Sequence, residues 1–162
     1  MYVAVSGGAD SSVLLAVAVR VFGPQAVCAV HVHHGLHPDA GAWAGACERL
    51  ARQLGAAWRR IDVDARPPAG ASPEGHARTL RYAALAGALR PGQLLLAAHH
   101  RDDDDETLLI NLLRGSGPQG LAGMPRRRPL GSGVLCRPLL DIDRHTLRAA
   151  AAELGLHWVE AP

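Results

Sequence analysis

At 162 residues the chain has the size of one ordinary domain and can bury a sizeable core. Hydrophobic residues make up 48%, yet no apolar run approaches the ~20 residues of a membrane span and no secretion signal opens the sequence, so a cytoplasmic protein with no membrane partner is expected. The formal charge of +2 is too small to imply nucleic-acid binding by itself, and because all 17 basic residues are arginine, no mechanism can use a lysine of this chain.

In chain order, residues 2–5 read as a strand and residues 10–21 as a helix, with Ser6-Gly7-Gly8-Ala9-Asp10-Ser11-Ser12 between them. A strand over 26–32 runs into His31-Val32-His33-His34-Gly35-Leu36-His37, and a helix over 40–54 follows. Residues 58–63 read as a third strand, 64–72 as a Pro/Gly-rich loop and 73–89 as a helix carrying Arg78, Arg81 and Tyr82. The apolar run 94–98 predicts a strand that ends at His99 and His100, before a helix over 102–113 closed by Arg114. A second long loop, 115–132, contains Arg126-Arg127-Arg128. Strand 134–136, helix 143–154 and a weaker strand at 157–159 complete the pattern. Short apolar strands alternating with amphipathic helices predict an α/β fold, a doubly wound and mostly parallel sheet with helices on both faces. No repeat or linker divides residues 1–162. Cys28, Cys47 and Cys136 form no CxxC pair, so they read as reduced core thiols and not as a metal or iron–sulfur site.

Ligands of open α/β sheets lie at the carboxyl ends of strands, where SGGADSS falls. Gly7 and Gly8 permit a sharp turn and close approach of a ligand. Ser6, Ser11 and Ser12 supply hydroxyls, the helix start favours an anion, and Asp10 can hold Mg²⁺ beside phosphate oxygens. An ordinary glycine turn, with Asp10 or Ser11 as helix N-cap, fits the same residues. The Walker phosphate loop is excluded, since it requires lysine.

His99-His100-Arg101-Asp102-Asp103-Asp104-Asp105-Glu106 is the second stretch. Acidic residues suit a first helical turn, but five in succession exceed what a cap needs and call for a cation: Mg²⁺, an ammonium group or an arginine. Asp103 and Glu106 are three apart and share one helix face, which suits a two-carboxylate clamp. Leu108, Leu109, Leu112 and Leu113 are expected to form that helix's buried stripe. For Arg78 and Arg81 the spacing suggests a solvated face with Arg–carboxylate pairs, whereas for Arg126 to Arg128 a solvated loop and a contact with phosphates are both open.

The ordered set VAVSGGADSSVLL, HVHHGL, EGHARTLRY, HHRDDDDET, RGSGPQGLAGM and RPLL, spanning nearly the whole chain, resembles the N-terminal catalytic domain of the tRNA(Ile)-lysidine synthases. These belong to the PP-loop ATP pyrophosphatases, an adenine nucleotide alpha hydrolase-like group. The SGG-x-DS loop is common to that wider group, and the remaining motifs are narrower. The resemblance implies that ATP adenylates the C2 oxygen of the wobble cytidine in an isoleucine tRNA with a CAU anticodon. Free L-lysine then displaces AMP to form lysidine. It assigns the nucleotide phosphates to Ser6, Gly7, Gly8, Ala9, Asp10 and Ser11, and Mg²⁺ to Asp10 with Asp103. It gives the lysine ammonium to Asp103 and Glu106, with His99 and Arg114 also in the site, and leaves a homodimer open.

Two departures stand out: His33 replaces a common Asn and His37 a common Arg. The chain is also expected to lack the C-terminal tRNA-binding domains of such enzymes, with Ala161 where Asp is expected. The competing readings are another tRNA-modifying or amidating enzyme of the PP-loop group, and a nucleotide-binding module without catalysis.

Overall fold

A computed structural model describes residues 1–68, 70, 72–117 and 120–159. Pro118 and Gln119 of the RGSGPQGLAGM motif, and Glu160-Ala161-Pro162, lie outside the described residues, as does the side chain of Glu74.

Six short strands form one sheet: β1 (Tyr2–Ala4), β2 (Cys28–His33), β3 (Ala57–Asp62), β4 (Leu94–Leu96), β5 (Arg127–Leu130) and β6 (Gly133–Cys136). Their order across the sheet is β3-β2-β1-β4-β6-β5. Every neighbouring pair is parallel except β5 and β6. The helices are α1 (Ala9–Phe22), α2 (Ala40–Gln53), α3 (Pro73–Ala88), α4 (Arg101–Leu113) and α5 (Arg144–Glu153). Between β1 and β4 the chain winds off in opposite directions. A crevice therefore opens at their carboxyl ends, where doubly wound sheets bind ligands.

Apolar periodicity explains the packing. In α1, Val13, Leu14, Leu15 and Ala18 point inward, and they join Val3, Ala29, Cys47, Ala51 and Leu147 in one cluster on one face of the sheet. The opposite face is covered by Leu85 and Leu89 of α3 and its flank, over Val30, Leu95, Leu130 and Leu135. Two helix starts carry a simple side-chain cap, whereas Asp39 at the start of α2 accepts no cap bond. Ser72 accepts from Gly75 N–H ahead of Pro73, and Asp143 accepts from Thr146 N–H at 2.7 Å.

The structure departs from the sequence expectation in three places. The basic run is not wholly loop, because Arg127 and Arg128 lie in β5. This is an outer strand, where Pro129 is tolerated because one side needs no ladder hydrogen bond. Residues 157–159 form no strand; instead Val159 N–H donates to Gly7 O at 2.9 Å and latches the first loop. The leucines of α4 do not form a buried stripe. Leu108 is half-buried, whereas Leu109, Leu112 and Leu113 are 60%, 59% and 86% exposed. Among the described residues, α4 has no buried residue, and the element packed against it is the short turn at Gly120–Ala122.

Candidate functional site

A cavity of about 380 Å³ opens in the crevice between β1 and β4. Ser6, Gly8, Asp10 and Ser11 form one wall, His31, His33 and His34 at the end of β2 a second, and Arg81, Tyr82 and His99 a third. Val30, Leu85, Leu95 and Leu135 give it an apolar floor. Apolar walls around a few convergent polar groups are typical of small-molecule sites.

The first loop is built around Gly7 and Gly8. Gly7 has φ +95°, and a Cβ there would lie 2.7 Å from Val159 Cγ2, so the position excludes other residues on two grounds. The N-cap of α1 is Gly8, and no side chain caps the helix. Neither Asp10 nor Ser11 serves that purpose, since α1 begins at Ala9. First-turn N–H groups without a side-chain acceptor favour an anionic ligand. Ser11 Oγ donates to Gly8 O at 3.0 Å while accepting from Ser6 N–H at 3.2 Å, and Ser12 Oγ donates to Gly8 O at 2.9 Å. These two hydroxyls therefore shape the turn, and the exposed Ser6 hydroxyl joins them, accepting from Gly8 N–H at 3.4 Å and lying 3.2 Å from Ser11 Oγ. Ala9 is buried and belongs to the core, contributing its backbone alone.

The loop and the acidic helix meet at His100. This residue is the N-cap of α4 and is 1% exposed. Its Nε2 lies 3.5 Å from Asp10 Oδ2 and 3.6 Å from Asp103 Oδ2, and its Nδ1 lies 3.5 Å from Asp102 Oδ2. Asp103 also accepts from His100 backbone N–H at 2.9 Å, which caps the helix. The acidic run is thus partly structural. Asp102 accepts from Arg144 N–H, a bond that holds its carboxyl below the usual range. Asp104 accepts from Met124 N–H, and Arg101 pairs with Asp143 at 3.9 Å. Glu106 is exposed one turn beyond Asp103, and Arg114 is the exposed C-cap at the other end of α4, about 16 Å away along the helix.

Asp10 Oδ1 is buried without a hydrogen-bond partner. A buried carboxylate oxygen beside an anion site fits Mg²⁺, which completes its octahedron with phosphate and water oxygens. Among the described residues no group of three or more His, Cys, Asp or Glu surrounds such an ion. Asp10 would be its main protein ligand.

His99 is held by its neighbours in one tautomer. Arg137 Nε donates to His99 Nδ1 at 3.3 Å, and arginine has no acceptor. Nδ1 must therefore carry the lone pair, and Nε2–H faces Tyr82 Oη at 3.4 Å. Burial, and then the Arg137 charge, push His99 down to about 4, so the ring is neutral at pH 7. His31 is likewise shifted down by burial, and its Nδ1–H donates to Val5 O at 2.8 Å. His34 is lowered by burial and by Arg81. His33 lines the cavity, whereas His37 stacks on Trp43 at 4.7 Å and pairs with Asp39 outside it.

Two residues to which the sequence reading gave no role prove central, His100 and Arg137. Arg137 is 5% exposed and also donates to Pro125 O at 2.7 Å. The available signal was position: a charged or polar residue directly after an apolar strand, at the carboxyl end of the sheet. The three cysteines are free thiols and none lines the cavity; Cys47 is buried, and burial pushes it up to about 12.

The sequence profile of the PP-loop domain family matches residues 1–162. The tRNA(Ile)-lysidine synthase of Methylococcus capsulatus is 48% identical over 99% of this chain and 37% of its own length. That of Alkalilimnicola ehrlichii is 50% identical over 99% of this chain and 36% of its own. The chain thus spans little more than a third of the curated relatives it matches. Among solved structures, the U34-tRNA thiolase NcsA of Methanococcus maripaludis has a TM-score of 0.76 at 16% identity, covering 99% of this chain and 59% of that one. This likeness supports the fold.

Proposed function

This chain belongs to the PP-loop domain family, and on that premise we propose that it performs the ATP-dependent chemistry of lysidine formation on an isoleucine tRNA bearing a CAU anticodon. The observation that carries the proposal is the meeting of the uncapped α1 start with the acidic α4 start across His100, beside a cavity able to hold a nucleoside. Likeness to named tRNA(Ile)-lysidine synthases over 99% of the chain supports the choice of substrate.

In this reading ATP lies in the cavity with its phosphates on the backbone from Ser6 to Ser11. The C2 oxygen of the cytidine attacks the α-phosphate and pyrophosphate leaves. Mg²⁺, held through Asp10 with Asp103 nearby, would supply charge neutralisation to the phosphates. Asp103 and Glu106 then hold the ammonium of free L-lysine, two carboxylates on one helix face orienting an amine. Its other amino group, deprotonated, attacks C2 and displaces AMP. His99, being neutral, places no positive charge against the arriving ammonium. Arg114, at the far end of α4, is given no part in the chemistry.

Asp103 also caps α4, so Asp103→Asn is the informative variant: the amide oxygen keeps the cap while the charge is lost. Pyrophosphate exchange with ATP, lysine and a panel of tRNAs should show dependence on the CAU-anticodon isoleucine tRNA in the parent. The variant is expected to retain ATP affinity within about threefold while lysidine formation falls at least ~100-fold, the scale of a lost charged orienting contact. Lysine-independent turnover on an unrelated acceptor would defeat the proposal in favour of another PP-loop activity.

A further inference from the structure

We infer that the arginines gathered around Tyr82 and along β5 form a seat for an RNA phosphodiester backbone, an inference that rests on the proposed action on a tRNA. Tyr82 of α3 carries three guanidinium groups around its ring. Arg78 lies 5.4 Å, Arg81 5.9 Å and Arg128 5.2 Å from its centroid. Two come from α3 and the third from β5, so tertiary structure assembles the cluster. A ring has two faces, and a third guanidinium at this range is held against the repulsion of the other two. The field also reaches the cavity, where Arg78 and Arg81 add to the charges that keep His99 neutral. On β5 the charge is not cancelled. Arg126 pairs with Asp141, while among the described residues no ion pair engages Arg127 or Arg128. Fixed positive charge concentrated in this way is stabilised by an anion.

Position decides which anion. β5 is the outermost strand, with β6 and β4 between it and β1. At ~4.8 Å per strand it lies about 14 Å from the first loop, so a triphosphate gripped at Gly7 and Gly8 does not account for it. Because β5 runs antiparallel to β6, Arg127 and Arg128 stand opposite Cys136 and Leu135, at the carboxyl rim where the cavity opens. Successive strand residues face opposite sides; Arg128 turns to Tyr82 and Arg127 to the other face, so the seat bends around the sheet edge. An extended chain of phosphates, one end of which enters the cavity, matches that layout.

The test is fluorescence anisotropy of an RNA hairpin with a CAU loop, at several salt concentrations, with the parent, Arg127→Gln, Arg128→Gln and the double variant. The double variant should bind about tenfold more weakly at 0.1 M salt, with the salt slope shallower by roughly one per arginine removed. Affinity for a non-hydrolysable ATP analogue should stay within twofold, which also reports that the chain is folded, and Arg128→Lys should keep most of the salt slope. Unchanged RNA affinity and slope would overturn the inference. An equal loss of ATP-analogue affinity would overturn it too, by assigning the arginines to the nucleotide. Arginine-dependent RNA binding without lysidine formation would sink the proposed activity and leave this seat standing.

Discussion

At the residue scale, Gly7 and His99 carry the sharpest physical constraints. Alanine at Gly7 must adopt φ +95° and meet Val159 Cγ2 at 2.7 Å. Gly7→Ala should lower unfolding free energy by about 2 kcal/mol, within the range for a strained non-glycine residue, and should weaken binding of an ATP analogue. Chemical denaturation with and without the analogue checks both parts. His99 predicts a pH dependence. Its folded value, pushed down to about 4, lies below the ordinary 6.5, so the folded state favours the neutral ring. Above pH 6.5 both states are neutral and nothing changes. As pH falls from 6.5 toward 4 the unfolded chain takes up a proton that the folded chain refuses, and stability is lost, to a ceiling of about 3 kcal/mol. Unfolding free energies between pH 7 and 4 should fall less steeply in His99→Gln than in the parent, by up to one proton; parallel curves would refute the assignment.

At the element scale, α5 follows what periodicity suggests and α4 does not. Both are amphipathic, yet α5 buries Leu147 and Ala151 against α1, while the leucines of α4 stay largely exposed. Leu147→Ala should cost about 2–5 kcal/mol, as cavity-forming changes do. Leu113→Ser, at a residue 86% exposed, should change stability by less than about 0.5 kcal/mol. Urea titrations of the two variants make the comparison. The α4 misreading shows the limit of patterning: a helix has an apolar face whether or not a neighbour covers it. The acidic run is similarly divided, with Asp103 tied into the cap and Glu106 left exposed. Strand β5 was illegible for a different reason. Arg-Arg-Pro-Leu has little strand propensity, and its pairing with β6 alone makes it a strand.

For the whole molecule, the alternation of apolar strands and amphipathic helices, with glycines and acidic residues at strand carboxyl ends, was enough to specify a doubly wound sheet and the side on which its cavity opens. These are local signals, and a parallel sheet covered on both faces needs little else. The sequence also located the two stretches that meet, SGGADSS and HHRDDDDET, since each directly follows an apolar run. Tertiary structure alone decided how they meet: His100 buried between Asp10 and Asp103, Arg137 fixing the tautomer of His99, and Arg128 brought from the sheet edge to Tyr82. Each of these joins residues from different elements, at distances set by strand order and helix packing. Spacing along a chain determines which residues share a face, whereas the faces that oppose one another are chosen by the packing of the complete sheet.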